Sequence, residues 1–217
     1  MVKKKILPLI GNFKNKKMKK GCLISIIVVA FLALIVLGVI LWGTKAYNGM
    51  VTMQETVTSQ WGNVETAYQR RSDLIPNFVN TVKGAANFEQ TTLTQVIEAR
   101  SKATSVTIDP TKMTAANMQQ FQQAQGQLSS ALSRLMVVVE QYPQLKATQN
   151  FRDLQVELEG TENRISVERK KFNDIALTYN TYIRRFPQNF LAGMFSFQSK
   201  PYFEAEKGAE KAPEVKF

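Results

Sequence analysis

FRDLQVELEGTENRISVERKKFNDIALTYNTY, residues 151–182, places Phe151, Leu154, Leu158, Thr161, Ile165, Glu168, Phe172, Ile175, Tyr179 and Tyr182 at steps that alternate three and four. A repeat of 3.5 residues keeps one stripe on one side of a helix. It also makes helices wind around one another with a left-handed twist. Three more stripes share the period. They are Tyr47, Met50, Gln54, Val57, Trp61, Val64, Tyr68, Arg71; then Ile75, Val79, Val82, Ala86, Glu89, Leu93, Val96, Arg100; then Met118, Phe121, Gln125, Leu128, Leu132, Leu135, Val139, Tyr142. No segment alternates with the period of two that marks a strand. Four stripes joined by short breaks predict an all-α protein whose long, coiled-coil-like helices form an antiparallel four-helix bundle over residues 45–186.

The breaks have local causes. Asp73 as a cap and Pro76 in a first turn predict that one helix stops near Arg71 and the next begins there. Asp109-Pro110 predicts a second start, Pro143 a stop, and Asn150 the cap of the last helix. Arg184-Arg185-Phe186-Pro187 closes it with basic residues at the negative end of the helix dipole and then a proline.

Working outward towards the amino terminus, residues 21–44 read GCLISIIVVAFLALIVLGVILWGT, without a charge. From Cys22 to Trp42 a helix is roughly 32 Å long, which matches a hydrocarbon core of about 30 Å. A signal peptide has a shorter apolar run, and Trp42-Gly43-Thr44-Lys45 is a poor cleavage site. A soluble core helix shows a polar face, and this run has none. The segment predicts a single retained membrane span. Eight lysines precede it in residues 1–20, with no acid, and account for most of the formal charge of +11. The positive-inside rule then predicts a basic cytoplasmic tail (1–20) and a helical body outside the cell membrane. The lysines suit anionic headgroups. With one aromatic and no motif that reads bases, the tail predicts no nucleic-acid partner. Residues 187–217 form an aromatic segment followed by a tail of mixed charge, EAEKGAEKAPEVKF, expected to be disordered.

Composition narrows the chemistry. The 217 residues contain no histidine and one cysteine, Cys22. That excludes Ser–His and Cys–His catalysis, histidine-ligated zinc and an internal disulfide. Gln54, Arg71, Glu89, Arg100, Gln125, Thr161 and Glu168 are polar residues on core-facing positions. Arg71 and Arg100 are expected to reach solvent near helix ends. Glu89 and Glu168 are read as mid-helix carboxylates that need partners, from Arg134, Arg164 and Arg169, in a polar layer that fixes register. The competing reading, a carboxylate site drawn from Glu89, Glu140, Glu162 and Glu168 for a hard cation or for acid–base work, lacks a loop motif. No catalytic, metal or cofactor residue is assigned. Phe186, Phe190, Phe195, Phe197, Tyr202 and Phe203 crowd one short stretch. They are expected to fold back and cap the open end of the bundle, to sit at the membrane interface, or to dock a partner through an exposed apolar patch.

The chain resembles the LemA family. The matching strings are RRSDLIPNFVNTVKG (70–84), Glu89 followed by TLTQVIEAR (92–100), VVEQYPQLKATQNFRDLQVELEGTENRIS (138–166), ERKKFNDIALTYNTYIRRFP (168–187) and KPYFEAE (200–206). With the span, the resemblance covers nearly all of residues 22–206. Phe78 stands where leucine is usual, and Phe172-Asn173 where a Tyr-Asn pair is usual. The resemblance implies a single-pass membrane protein with an antiparallel helical domain, in a family without an established enzymatic activity. The expected function is a membrane-anchored scaffold or interaction module. Its partners would be the lipid bilayer and envelope proteins. The alternative is a self-associating protein that organises membrane.

Overall fold

The computed structural model describes residues 20–84 and 89–204. The expected basic tail and disordered tail lie outside these residues, apart from Lys20 and Glu204. Six helices follow in order: α1 (Lys20–Lys83), α2 (Gln90–Ser105), α3 (Ala115–Val139), α4 (Pro143–Lys146), α5 (Gln149–Arg184) and α6 (Gln188–Met194). No strand occurs among the described residues. The chain divides into two compact units, Met1–Lys45 and Ala46–Phe217.

In the first unit, α1 exposes apolar side chains on every side; Ile27 is 63% exposed and Leu34 66%. Such a surface is costly in water and suited to lipid. Among the described residues this is the one helix long and apolar enough to cross a membrane.

In the second unit, the predicted break at residues 71–76 does not occur. α1 runs through Pro76 to Lys83. The heptad explains this, because Val64, Tyr68, Arg71, Ile75, Phe78 and Val82 keep one register across the supposed boundary and all six are buried. Proline removes the N–H that would bond to the carbonyl four residues back. That carbonyl is Ser72 O, and it accepts instead from Arg100 Nε at 2.8 Å. The helix therefore survives its proline with no orphaned acceptor, and Arg100 is spent on the helix rather than on solvent. α1 ends at Lys83 and α2 begins at Gln90. Asp109 does cap, but it heads a 3-10 turn, Pro110–Lys112. Thr114 and Asn117 form the capping box of α3, and Thr148, not Asn150, caps α5. α5 ends at Arg184, where the basic pair and proline predicted it.

Pairwise contacts set the directions. Phe78 meets Phe151 and Trp61 meets Phe172, while Tyr182 lies against Gly49, so α1 and α5 run antiparallel. Tyr68 packs on Phe121 and Arg71 bonds to Ser129, so α1 and α3 run together. Two hydrophobic clusters result. One is largely aliphatic and gathers Ile75, Phe78, Val82, Leu93, Val96, Leu135 and Phe151 from α1, α2, α3 and α5. The other is aromatic and holds Trp61, Tyr68, Phe121, Phe172, Tyr179 and Phe203, with no residue of α2.

Candidate functional site

Two kinds of site were legible in the sequence, a buried polar layer and an aromatic segment. The structure redistributes both.

Glu168 is buried, with 3% of its side chain exposed, and is fully partnered. Its Oε2 accepts from Gln60 Nε2 at 2.8 Å, and its Oε1 from Arg164 Nε at 2.9 Å and Lys171 Nζ at 3.2 Å. The Gln60 amide, and then the Lys171 and Arg164 charges, hold its carboxyl below the ordinary value against the opposing pull of burial. A carboxylate held ionised with both oxygens occupied is a poor proton donor. Of the candidate layer, only Arg164 joins it. Glu89 is exposed at the cap of α2, because the helix break falls beside it rather than at residue 71. Arg134 is exposed and reaches only Ser130 O. Arg169 turns the other way, donating to Glu204 O at 2.9 Å and lying over the Phe203 ring.

A second polar node formed around a residue expected in solvent. Arg71 is 2% exposed. Its Nη1 donates to Glu162 Oε2 at 2.8 Å and to Ser129 Oγ at 2.9 Å, and its Nη2 to Gln125 Oε1 at 2.6 Å. Gln125 Nε2 passes the chain on to Ala103 O. Arg71 follows Tyr68 and precedes Ile75, and Gln125 stands between Phe121 and Leu128. The node thus separates the aromatic from the aliphatic cluster. It borders a cleft of about 490 Å³ between α3 and α5. The misplaced helix end hid it; the unbroken step from Arg71 to Ile75 was the signal available in the sequence.

The aromatic segment divides into a buried strap and an exposed stripe. After α6 the chain reverses at Ser196, whose φ of 59° is the left-handed turn that closes many helices. Phe197 N donates to Ala192 O at 2.9 Å there. Residues 197–204 then return along α5 as an extended strap. Asn180 Nδ2 donates to Lys200 O while Lys200 N donates to Asn180 Oδ1, each at 2.8 Å. Asn173 repeats the arrangement on Phe203, at 2.9 and 2.8 Å. Seven helical residues span about 10.5 Å and three extended residues about 10 Å, so the two clips fit the strap without distortion. Phe203 is 5% exposed and stacks on Trp61 at 5.9 Å. Phe197 is half-buried and Tyr202 accepts from Asn180.

Phe186, Phe190 and Phe195 are not part of this cap. Phe186 is 79% exposed, Phe190 68% and Met194 72%. Their spacing of four sets them on one side of α6 and its approach, while Ala192 on the other side is buried. Phe195, 51% exposed, packs edge-on against Tyr47 at 4.9 Å.

Magnetosome protein MamQ 2 of Paramagnetospirillum magneticum is 29% identical over 205 residues, spanning 86% of this chain and 71% of its own. Magnetosome protein MamQ of Magnetospirillum gryphiswaldense is 29% identical over 186 residues, 77% of this chain and 67% of its own. Protein LemA of Metamycoplasma hominis is 24% identical over 160 residues, 74% and 69% respectively. The sequence model of the LemA family matches residues 60–217. With that match over most of its length, the chain belongs to the LemA family.

Proposed function

We propose that the protein is a non-enzymatic scaffold or interaction module tethered to the cell membrane. In this reading residues 21–44 span the bilayer, residues 1–20 face the cytoplasm, and α1 from Ala46, α2, α3 and α5 act outside as one antiparallel four-helix bundle. The observation that carries it is the use of the buried charges. Glu168, Arg71 and Arg100 each bond to another helix or to a neighbouring turn. Such groups hold helices in register and are not set out for a substrate. Two of the relatives described above are named as magnetosome proteins. Envelope proteins are the proposed partners.

The test is affinity capture of the full chain from mild detergent, with the stoichiometry of what is retained. A partner retained in fixed ratio is the expected result. Self-oligomers alone favour a membrane-organising protein. Turnover or a stoichiometric metal in the purified chain overturns the reading. Shaving intact cells with protease tests orientation, and survival of the helical body contradicts its placement outside.

A further inference from the structure

We propose that Phe186, Phe190, Met194 and Phe195 form a foot that inserts into the headgroup region of the bilayer. The inference rests on the reading of residues 21–44 as a membrane span and adds a second, peripheral contact with the same membrane.

Three observations carry it. The first is exposure. Four large apolar side chains are each more than half exposed: Phe186, Phe190 and Met194 recur every fourth residue at the end of α5 and along α6, and Phe195 follows them. Single exposed apolar residues are ordinary on a protein surface; a contiguous group of this kind marks a contact. The Phe186 and Phe190 rings already meet edge to face at 5.9 Å, so this pair is assembled before anything covers it.

The second is place. Phe195 and Phe197 lie against Tyr47, at 4.9 and 5.6 Å between ring centroids. Tyr47 follows Thr44, the last residue of the apolar stretch, by three positions. Three residues of chain reach at most about 10 Å. Whatever angle the span takes, the covalent chain keeps this corner of the body within reach of the lipid surface.

The third is charge. From Arg184 to Phe203 there is no acidic residue, and Arg184 and Arg185 are exposed where α5 ends. Cations flanking aromatic and aliphatic side chains are the composition of a segment that rests in the interface, with the apolar part below the headgroups and the basic part among anionic ones.

The bilayer suits this patch better than a protein does. Four side chains are far less than a stable protein interface buries. For a patch held at the membrane by its own chain, the local concentration of lipid is already high, and a small contact area suffices.

The experiment uses the full chain, with Cys22→Ser, in phosphatidylcholine–phosphatidylglycerol vesicles. An environment-sensitive fluorophore is placed by Asn189→Cys beside the stripe, by Val36→Cys in the apolar stretch, or by Val137→Cys on the exposed side of α3. The quencher is a lipid spin-labelled close to its headgroup. The expected result is a blue-shifted emission at position 189 that loses most of its intensity to the quencher, and an unquenched label at 137. Phe186→Ser, Phe190→Ser and Met194→Ser combined should abolish quenching at 189 while leaving quenching at 36 and the near-ultraviolet circular dichroism intact. If 36 is quenched and 189 behaves as 137 does, the foot is wrong and the anchor stands. If 36 is not quenched, the anchor fails and the foot with it. Shielding at 189 that grows with protein per vesicle and ignores the lipid quencher identifies a second copy as the occupant and overturns the proposal. Quenching that survives the triple substitution overturns it as well.

Discussion

The two clusters of the helical body are closed in different ways. Around Ile75, Phe78 and Leu135, side chains come from α1, α2, α3, α4 and α5, and the core is sealed by helix against helix. Around Trp61 and Phe172 the second helix is missing, because α2 ends at Ser105. There the cluster takes in Ile108 and Met113 from the loop before α3, and Phe203 from the strap. The aliphatic end therefore needs only side-chain volume. The aromatic end needs hydrogen bonds as well, because an extended strap brings backbone groups that must be satisfied. Asn173 and Asn180 supply them. Rings are suited to this job, since each covers a large area and meets its neighbours edge-on.

Removing the strap is the most severe way to break the comparison. A full chain ending at Phe195 should lose at least about 5 kcal/mol, from the stacked Phe203 and from four hydrogen bonds left unmade. Chemical denaturation in detergent, followed by near-ultraviolet circular dichroism, reads the loss; a change below about 1 kcal/mol, as for a mild surface substitution, contradicts the sealing role.

At the aliphatic end a sharper test uses two residues. Arg100→Ala should cost about 1–3 kcal/mol by orphaning Ser72 O beneath Pro76. In a Pro76→Ala background the backbone N–H returns, and the same substitution should cost markedly less. Equal costs in both backgrounds would show that Arg100 does not act through that carbonyl.

Acid should weaken the aromatic end first. The folded Glu168 carboxyl lies below its ordinary value of 4.5. Its contribution to stability is therefore complete above that value and is lost as pH falls through the folded one. Glu168→Gln should flatten the decline of the melting midpoint in this acid range, and an unchanged slope assigns the decline elsewhere. The smallest effect belongs to Glu89→Ala, expected within about 0.5 kcal/mol because the side chain is exposed. A larger loss in the denaturation curve would restore it to the buried layer.

The helices were readable in the sequence because burial repeats with the heptad and little else has that period. The error at residues 71–76 arose because Asp73 and Pro76 form a convincing helix start when read locally, while the arginine that relieves the proline stands twenty-four residues away. The same local signal puts Glu89 mid-helix and Arg71 at a helix end, where the structure has the reverse. The clips were illegible for a different reason. Asn173 and Asn180 bond to main chain, and main-chain bonding leaves no trace in hydrophobic pattern. Aromatic richness announced that residues 186–203 contact something. Only the spacing of Phe186, Phe190 and Met194, set beside the burial of Ala192, separates the stripe from the strap.

The two asparagine clips also bear on how the protein ages and drifts. An amide presents one donor and one acceptor side by side, as a peptide group does, so α5 grips the main chain and takes little interest in which residues carry it. Gln198 and Ser199, both exposed, are thereby left open to neutral change. The grip itself has a single chemical weakness. Loss of the amide nitrogen by deamidation replaces a donor with a second acceptor and turns it towards the carbonyl of Phe203 or Lys200. A change of one atom at Asn173 or Asn180 converts attraction into repulsion, so the same two side chains that hold the strap would then drive it off.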